Sequence, residues 1–168
     1  MPDKSKPTPI TIRKPTIEDG TKIWDLVQEC QPLEPNTSYA YVLFCHHFAD
    51  TCVVAECEGE IVGFVMAYRP PPSPASVFVW QIAVHPKMRG RGVAMDLLNE
   101  LTERDDCKDV EMLEATVSPS NEGSQALFRA FARKNDTQCD VLPYFPPQVF
   151  GEVGHEEEDL FRIQLANS

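Results

Sequence analysis

Between positions 77 and 101 an apolar run breaks into a glycine-punctuated turn, and the turn opens into a helical pattern. The run is Val77-Phe78-Val79-Trp80-Gln81-Ile82-Ala83-Val84, followed by His85-Pro86-Lys87-Met88-Arg89-Gly90-Arg91-Gly92. Beyond it Val93, Leu97, Leu98 and Leu101 recur at i, i+4, i+5 and i+8, the spacing of one buried helix face. A strand thus runs through a short turn into a helix. That geometry aims backbone N–H groups, and the positive end of the helix dipole, at whatever lies above the turn. Gly90 and Gly92 lack a Cβ, so the backbone can adopt conformations other residues resist and approach an anion closely. Arg89 and Arg91 add positive charge beside it. A phosphate or pyrophosphate is the guest this turn suits. It lacks the Gly-Lys-Ser/Thr ending of a P-loop and the third glycine of a dinucleotide fingerprint.

The length of 168 residues predicts one domain with a sizeable core. Residues 1–9 read as a loose, polar, proline-bearing tail and 10–168 as the folded part. No apolar run is long enough to span a membrane, and no signal-peptide layout precedes the first strand. A formal net charge of −11 argues against nucleic acid and anionic membrane as partners. The six cysteines form no Cys-x-x-Cys pair, and the four histidines do not complete a metal-ligand spacing. Reduced, buried thiols in a cytoplasmic protein, with no metal, is the expectation.

The rest of the pattern alternates short strands with helices. Residues 10–13 alternate as a first strand. Thr16 and Asp19 resemble a capping box before a helix with Ile23, Leu26, Val27 and Cys30 on its buried face, ending near Cys30 ahead of Pro32 and Pro35. A helix over 39–49, capped by Thr37 or Ser38, buries Tyr41, Cys45 and Phe48. Strands at 51–56 and 61–68 form a hairpin about Glu58-Gly59-Glu60. After the central strand and helix come a strand over 111–117 and a helix opening at 118–121, with Leu127, Ala130 and Phe131 inward. Strands at 137–142 and 160–165 close the chain, separated by a long acidic loop over 143–159 of the kind that often carries function.

At Arg89-Gly90-Arg91-Gly92-Val93-Ala94 the turn resembles the Arg/Gln-x-x-Gly-x-Gly/Ala motif of the GNAT N-acetyltransferase superfamily. The order β-α-α-β-β-β-α-β-α-β-β resembles that superfamily along nearly the whole chain. The resemblance implies an α/β (α+β) GNAT fold: a mixed, twisted central sheet with helices on both faces, whose splayed central strands hold acetyl-CoA. It further implies that the amides of Arg89, Gly90, Arg91, Gly92, Val93 and Ala94 wrap the pyrophosphate. Ile82, Ala83 and Val84 then line the pantetheine arm, with the Val84 N–H toward the thioester oxygen. Asn121, Ser124 and Leu127-Phe128 follow a later pattern, Asn-x-x-Ala-x-x-Leu-Tyr, with Ser124 in place of the alanine, and the resemblance places Asn121, Ser124 and Phe128 at the cofactor. Phe128 stands where many members carry a tyrosine that protonates the departing thiolate, and a phenyl ring has no proton to give. The superfamily also implies a homodimer.

Four further patches, at 33–41, 78–84, 113–121 and 155–162, look like the diaminobutyrate acetyltransferases of ectoine biosynthesis. They include Trp80-Gln81-Ile82-Ala83-Val84, Thr116-Val117-Ser118-Pro119-Ser120-Asn121 and His155-Glu156-Glu157-Glu158. Glu34, Thr37 and Glu157 depart conservatively from the family pattern. The resemblance implies transfer of acetyl to the N4 amine of L-2,4-diaminobutyrate, directly from acetyl-CoA in a ternary complex, for a solute used against osmotic stress. Such a substrate needs carboxylates for its ammonium groups, donors for its carboxylate and a wall. Glu34, Asn36, Thr37, Tyr39, Trp80, Glu114 and Glu158 are the candidates, Trp80 also as a cation–π platform. Glu158 is the first choice of general base, Glu34 the second, and His155 a further catalytic candidate.

Plainer readings stand beside these. Trp80 fits core packing, the 156–159 run fits a solvated acidic loop, Glu34 and Glu114 fit solvent-facing positions, and His155 fits a cap. Two other functions also stay open. One is acetylation of another small amine or a protein N-terminus, the other a regulatory acyl-CoA-binding module without catalysis.

Overall fold

The computed structural model describes residues 7–30, 33, 35–151 and 154–166. In chain order these form β1 (Thr11–Arg13), α1 (Asp19–Glu29), α2 (Ser38–His47), β2 (Val53–Cys57), β3 (Glu60–Tyr68), β4 (Ser76–Val84), α3 (Val93–Glu103), β5 (Met112–Val117), α4 (Glu122–Lys134), β6 (Cys139–Phe145) and β7 (Glu158–Gln164). Among the described residues the strands make one seven-stranded mixed sheet in the order β1-β2-β3-β4-β5-β7-β6. β4 and β5 run parallel, whereas β1–β2, β2–β3, β5–β7 and β6–β7 are antiparallel. The chain divides into two compact units. One runs to Met66 and takes in Gln81–Leu101, and the other joins Ala67–Trp80 to the chain from Thr102 onward.

In the first unit, α1 does not begin through a Thr16 side-chain cap. Its N-cap is Glu18, which makes no side-chain cap bond. Asp19 is instead the organising group, 2% exposed. Its carboxylate accepts two bonds from the Arg13 guanidinium, at 2.7 and 3.0 Å, and the Thr16 N–H at 2.7 Å. Burial alone would raise the Asp19 pKa, but these donors outweigh it and hold it below the usual carboxylate value. Arg13 also reaches Glu56 on β2 at 2.8 Å, so one guanidinium joins β1, β2 and the start of α1. α1 and α2 meet at Gly20, where an added Cβ would lie 2.8 Å from the Val42 Cα.

The second helix starts as expected, with Thr37 as N-cap accepting the Ala40 N–H at 3.3 Å. It ends before Phe48, which is its C-cap and 41% exposed, so only Tyr41 and Cys45 of the expected inward stripe are buried. Its N–H still bonds the Phe44 carbonyl at 2.9 Å, and its ring packs on Phe44 one turn back, with centroids 5.2 Å apart, at the exposed end of the helix. α3 buries Val93, Leu97, Leu98 and Leu101, as its spacing requires. It lies over β3 at Gly63, where a Cβ would meet Val93 and the Ala83 carbonyl at 3.3 Å.

In the second unit, the parallel ladder of β4 with β5 runs from Ser76↔Met112 to Val79↔Ala115, although β5 continues to Val117. Register across β5 and β7 pairs Leu113 with Ile163 and Ala115 with Phe161, all four buried. α4 covers this face with Phe128, Phe131 and Ala132 buried, Phe128 lying 6.4 Å from Phe161 between ring centroids. Leu127 and Ala130, expected inward, are half-buried at the helix flanks. The expected long loop is shorter than 143–159. β6 carries on through Pro143 to Phe145, residues 147–150 form a 3-10 turn, and β7 begins at Glu158. Proline is tolerated there because β6 is the outermost strand, where one side of the backbone has no ladder to serve. A register shift sits at the same point, between Pro143 and Phe145.

Candidate active site

The expected site residues fall into two groups, one in each unit. In the first, β4 ends at Val84, residues 86–88 make a 3-10 turn, and α3 opens at Val93. Gly90 and Gly92 hold φ of +82° and +74°, left-handed conformations that favour glycine. A Cβ at either would meet nothing within 4 Å, so conformation and not crowding demands glycine here. The space over the backbone is therefore open to a ligand, which fits a pyrophosphate. The Asp96 N–H reaches the Gly92 carbonyl at 3.0 Å, so the amides before it sit in the first turn, where α-helices leave donors without intrahelical partners. Arg89 and Arg91 are exposed beside them. Arg91 donates to the Thr8 carbonyl at 2.8 Å, so part of the expected tail is engaged by this turn. Ile82 and Ala83 are half-buried, Val84 is buried, and Ala94 is half-buried on α3.

Also in this unit, the exposed Asn36 lies just before α2. Its carbonyl accepts the Trp24 indole N–H at 3.0 Å and its N–H donates to the Tyr41 hydroxyl at 3.3 Å. Thr37 spends its hydroxyl as a helix cap, and Tyr39 projects from the first turn of α2, 67% exposed. Glu34 lies outside the described residues. Tyr41, by contrast, is fully buried and donates its hydroxyl to Gln81 Oε1 at 2.9 Å. This pair joins α2 to the central strand, yet sequence reasoning missed it. Tyr41 reads as one more stripe residue, and nothing local announces a partner forty positions away.

The second group sits around β5, β7 and the start of α4. Trp80 is half-buried and follows Val79, the last β4 residue of the β4–β5 ladder. Glu114 faces away from the Phe161 side and pairs across the ladder with Arg162, 3.4 Å from its Nε. That carboxylate, 14% exposed, already has a cation. Asn121 is the N-cap of α4, its side-chain oxygen accepting the Ser124 N–H at 3.1 Å. Phe128 is 2% exposed and belongs to the core of this unit.

The acidic stretch is built on aromatic contacts. Phe145 meets Phe150 edge-on at 6.3 Å, and Phe150 stacks on His155 with centroids 3.9 Å apart and planes 17° off parallel. His155 Nδ1 lies 2.6 Å from the Glu156 carbonyl, which can only accept, so Nδ1 carries the proton. Ser120 donates its hydroxyl to Glu156 and ties the stretch to the turn before α4. Glu158 opens β7 opposite Phe145. Burial raises its pKa above the usual carboxylate value, the neighbouring His155 opposes that, and the Glu156 and Asp159 charges reinforce it. A half-buried carboxylate that holds its proton more tightly than usual is a better base once deprotonated.

Burial raises the thiol pKa of Cys30, Cys45, Cys107 and Cys139, with Cys45 pushed up to about 12, so these are poor nucleophiles at neutral pH. Among the described residues no cluster of three or more His, Cys, Asp and Glu is arranged to hold a metal ion, and no helix is long and apolar enough to cross a membrane.

Residues 21–132 match the Acetyltransferase (GNAT) family. The chain is 48% identical over 157 residues to the L-2,4-diaminobutyric acid acetyltransferase of Shouchella clausii (strain KSM-K16), covering 93% of this chain and 88% of that protein. It is 49% identical over 154 residues to the enzyme of the same name from Marinococcus halophilus, covering 92% and 89%. Among solved structures, diaminobutyrate acetyltransferase EctA from Paenibacillus lautus, in complex with its substrate L-2,4-diaminobutyric acid and coenzyme A, superposes with a TM-score of 0.89. That structure is 39% identical and covers 94% of this chain and 96% of its own. With the glycine turn between β4 and α3, the mixed sheet and this similarity over nearly its whole length, the chain belongs to the GNAT acetyltransferase family, among the diaminobutyrate acetyltransferases.

Proposed function

We propose that this protein transfers the acetyl group of acetyl-CoA to the N4 (γ) amine of L-2,4-diaminobutyrate, giving N4-acetyl-L-2,4-diaminobutyrate in ectoine biosynthesis. One observation carries this reading: similarity across nearly the full length of both chains to an enzyme solved with that amine and coenzyme A.

Acetyl-CoA supplies the activated acyl group. The amides from Arg89 to Ala94 and the two arginines bind its pyrophosphate, and the backbone of Ile82, Ala83 and Val84 takes the pantetheine arm. Val84 donates its N–H to the thioester oxygen, stabilising the charge that develops there as the amine attacks. Glu158 takes the proton of the incoming ammonium, with His155 beside it, and Glu34 is the second candidate for that proton. The new N–C bond forms as the C–S bond breaks, and the second proton shed by the attacking nitrogen reaches the leaving thiolate through water or another group, since Phe128 has none to give. Transfer is direct, which the raised thiol pKa values support. The resemblance assigns Glu34, Asn36, Thr37, Tyr39, Trp80, Glu114 and Glu158 to the substrate, with the Glu114 carboxylate already paired to Arg162 and the Thr37 hydroxyl to the cap of α2, and it assigns Asn121 and Ser124 to the arm of the cofactor.

The same reading takes residues 10–168 as one catalytic domain after a tail, acting in the cytoplasm against osmotic stress. All six cysteines are free, which supports a reducing compartment. It also takes the protein as a homodimer. β6, the outermost strand, leaves Val141, Leu142, Tyr144 and Phe145 exposed, and an apolar edge of that kind is one that native proteins cover.

The test is turnover with acetyl-CoA and a panel of L-2,4-diaminobutyrate, L-ornithine and L-lysine, following thiol release and locating the acetyl group by NMR. Selective N4 acetylation of diaminobutyrate is expected. Cofactor binding without turnover on any amine would overturn the reading.

A further inference from the structure

We propose that the C-terminal end of α1 is a positioning clamp for catalysis, in which Cys30 and Glu29 hold the Val84–His85 peptide and so aim the Val84 N–H at the thioester. The inference rests on the proposed role of that N–H, and everything it uses lies within one compact unit.

The peptide between Val84 and His85 is held at both ends. Its carbonyl accepts the Cys30 thiol at 3.7 Å, and its N–H donates to the Val62 carbonyl on β3 at 2.7 Å. A peptide unit is planar, so holding its oxygen and its N–H along their two hydrogen-bond directions restricts rotation of that plane. The neighbouring peptide, which carries the Val84 N–H, can then turn only about the Val84 Cα. The His85 side chain adds a third hold. Its Nδ1 accepts the Lys87 N–H at 3.1 Å, which makes Nε2 the protonated nitrogen, and Nε2 donates to Glu29 at 2.7 Å. Neutral His85 therefore caps the turn leading to the glycines while its far side is tied to α1.

The source of the clamp is the end of that helix. Pro32 and Pro35 follow closely, and Cys30 is the C-cap, its N–H bonded to the Val27 carbonyl at 3.0 Å. The cap places the thiol, 3% exposed, against the strand end. Burial raises its pKa, so it keeps the proton it donates. A thiol in such a place reads as core filling, but a core residue would have no need of a donor.

The experiment compares Cys30→Ala and Cys30→Ser in acetyl transfer to L-2,4-diaminobutyrate, together with amide hydrogen exchange at His85. Alanine removes the donor. It is expected to lower kcat about three- to tenfold, as loss of one modest hydrogen bond allows, leave KM for acetyl-CoA nearly unchanged, and speed exchange at His85. Serine keeps a donor and is expected to restore kcat and protection, although both variants lose the packing of the sulfur and unfold at lower temperature. A structural role alone would impair serine and alanine alike, and that result would overturn the proposal. So would a Cys30→Ala enzyme with wild-type kcat. If Cys30→Ala does not fold, Glu29→Ala on the solvent side decides: lower kcat and faster His85 exchange are expected, and no change in either refutes the clamp. A wild-type protein that acetylates no amine would defeat the proposed function instead, while His85 exchange in the variants still reports on the clamp.

Discussion

Glu158 is the residue on which the proposed chemistry turns, and its environment makes two measurable statements. Burial raises its pKa, so the acid limb of kcat/KM should lie above the ordinary carboxylate range. Glu158→Gln should remove that limb and lower kcat by about 100-fold or more, read from pH profiles of both enzymes. The same shift acts on stability in the opposite sense. A carboxyl whose folded pKa is raised favours folding while protonated, and that contribution disappears as pH rises through the folded value. Glu158→Gln should therefore raise the melting temperature at neutral pH, with the gain vanishing below the ordinary carboxylate range, as calorimetry across pH would show. Glu158 stands out in the sequence as a candidate because it lies in a family-like run, His155-Glu156-Glu157-Glu158. The Phe150 stack on His155 and the Ser120 bond to Glu156 were not legible, since they join residues that no periodicity relates.

Elements decide where those residues stand, and glycines mark the closest approaches. Gly20→Ala should improve helix propensity in α1 and still destabilise the protein by about 1–3 kcal/mol, because the new methyl would lie 2.8 Å from the backbone of Val42. Denaturant titration checks the sign. Gly92→Ala meets no atom but must hold φ near +74°, at a cost of about 1 kcal/mol. Its larger effect should be on the turn itself, raising KM for acetyl-CoA about three- to tenfold with kcat less affected. The glycine turn was legible at the element scale because strand period, glycines and helix period follow one another in a single stretch. The far end of α2 and the length of β6 were not. Phe48 keeps helical spacing in sequence after the backbone has left the helix. Pro143 reads as a strand breaker and is accommodated because β6 lies at the edge of the sheet among the described residues.

Across the whole molecule, stability against acid and the state of association follow from groups far apart in sequence. Asp19 is held below the usual carboxylate pKa against its own burial, so its stabilisation is present above that value and is lost as pH falls through the lowered one. Asp19→Asn should cost about 2–4 kcal/mol at neutral pH, leaving Arg13 short of its principal partner, and should flatten the acid side of the stability curve. In the proposed homodimer, Leu142→Lys on the exposed outer strand should shift sedimentation to monomer without lowering the melting temperature of the monomer. The amino-acid sequence by itself determined the α/β order, the glycine turn between β4 and α3 and the residue types of the candidate site, because local periodicity, glycine and charge act over a few neighbouring positions. Only the tertiary structure decided which of those groups were already committed. Glu114 went to Arg162, Thr37 to a helix cap, Tyr41 to Gln81 and the Cys30 thiol to the Val84 carbonyl. The physical reason is that a polar group taken from water must find a partner, and for Glu114, Tyr41 and Cys30 that partner is chosen by the fold and not by the neighbouring sequence.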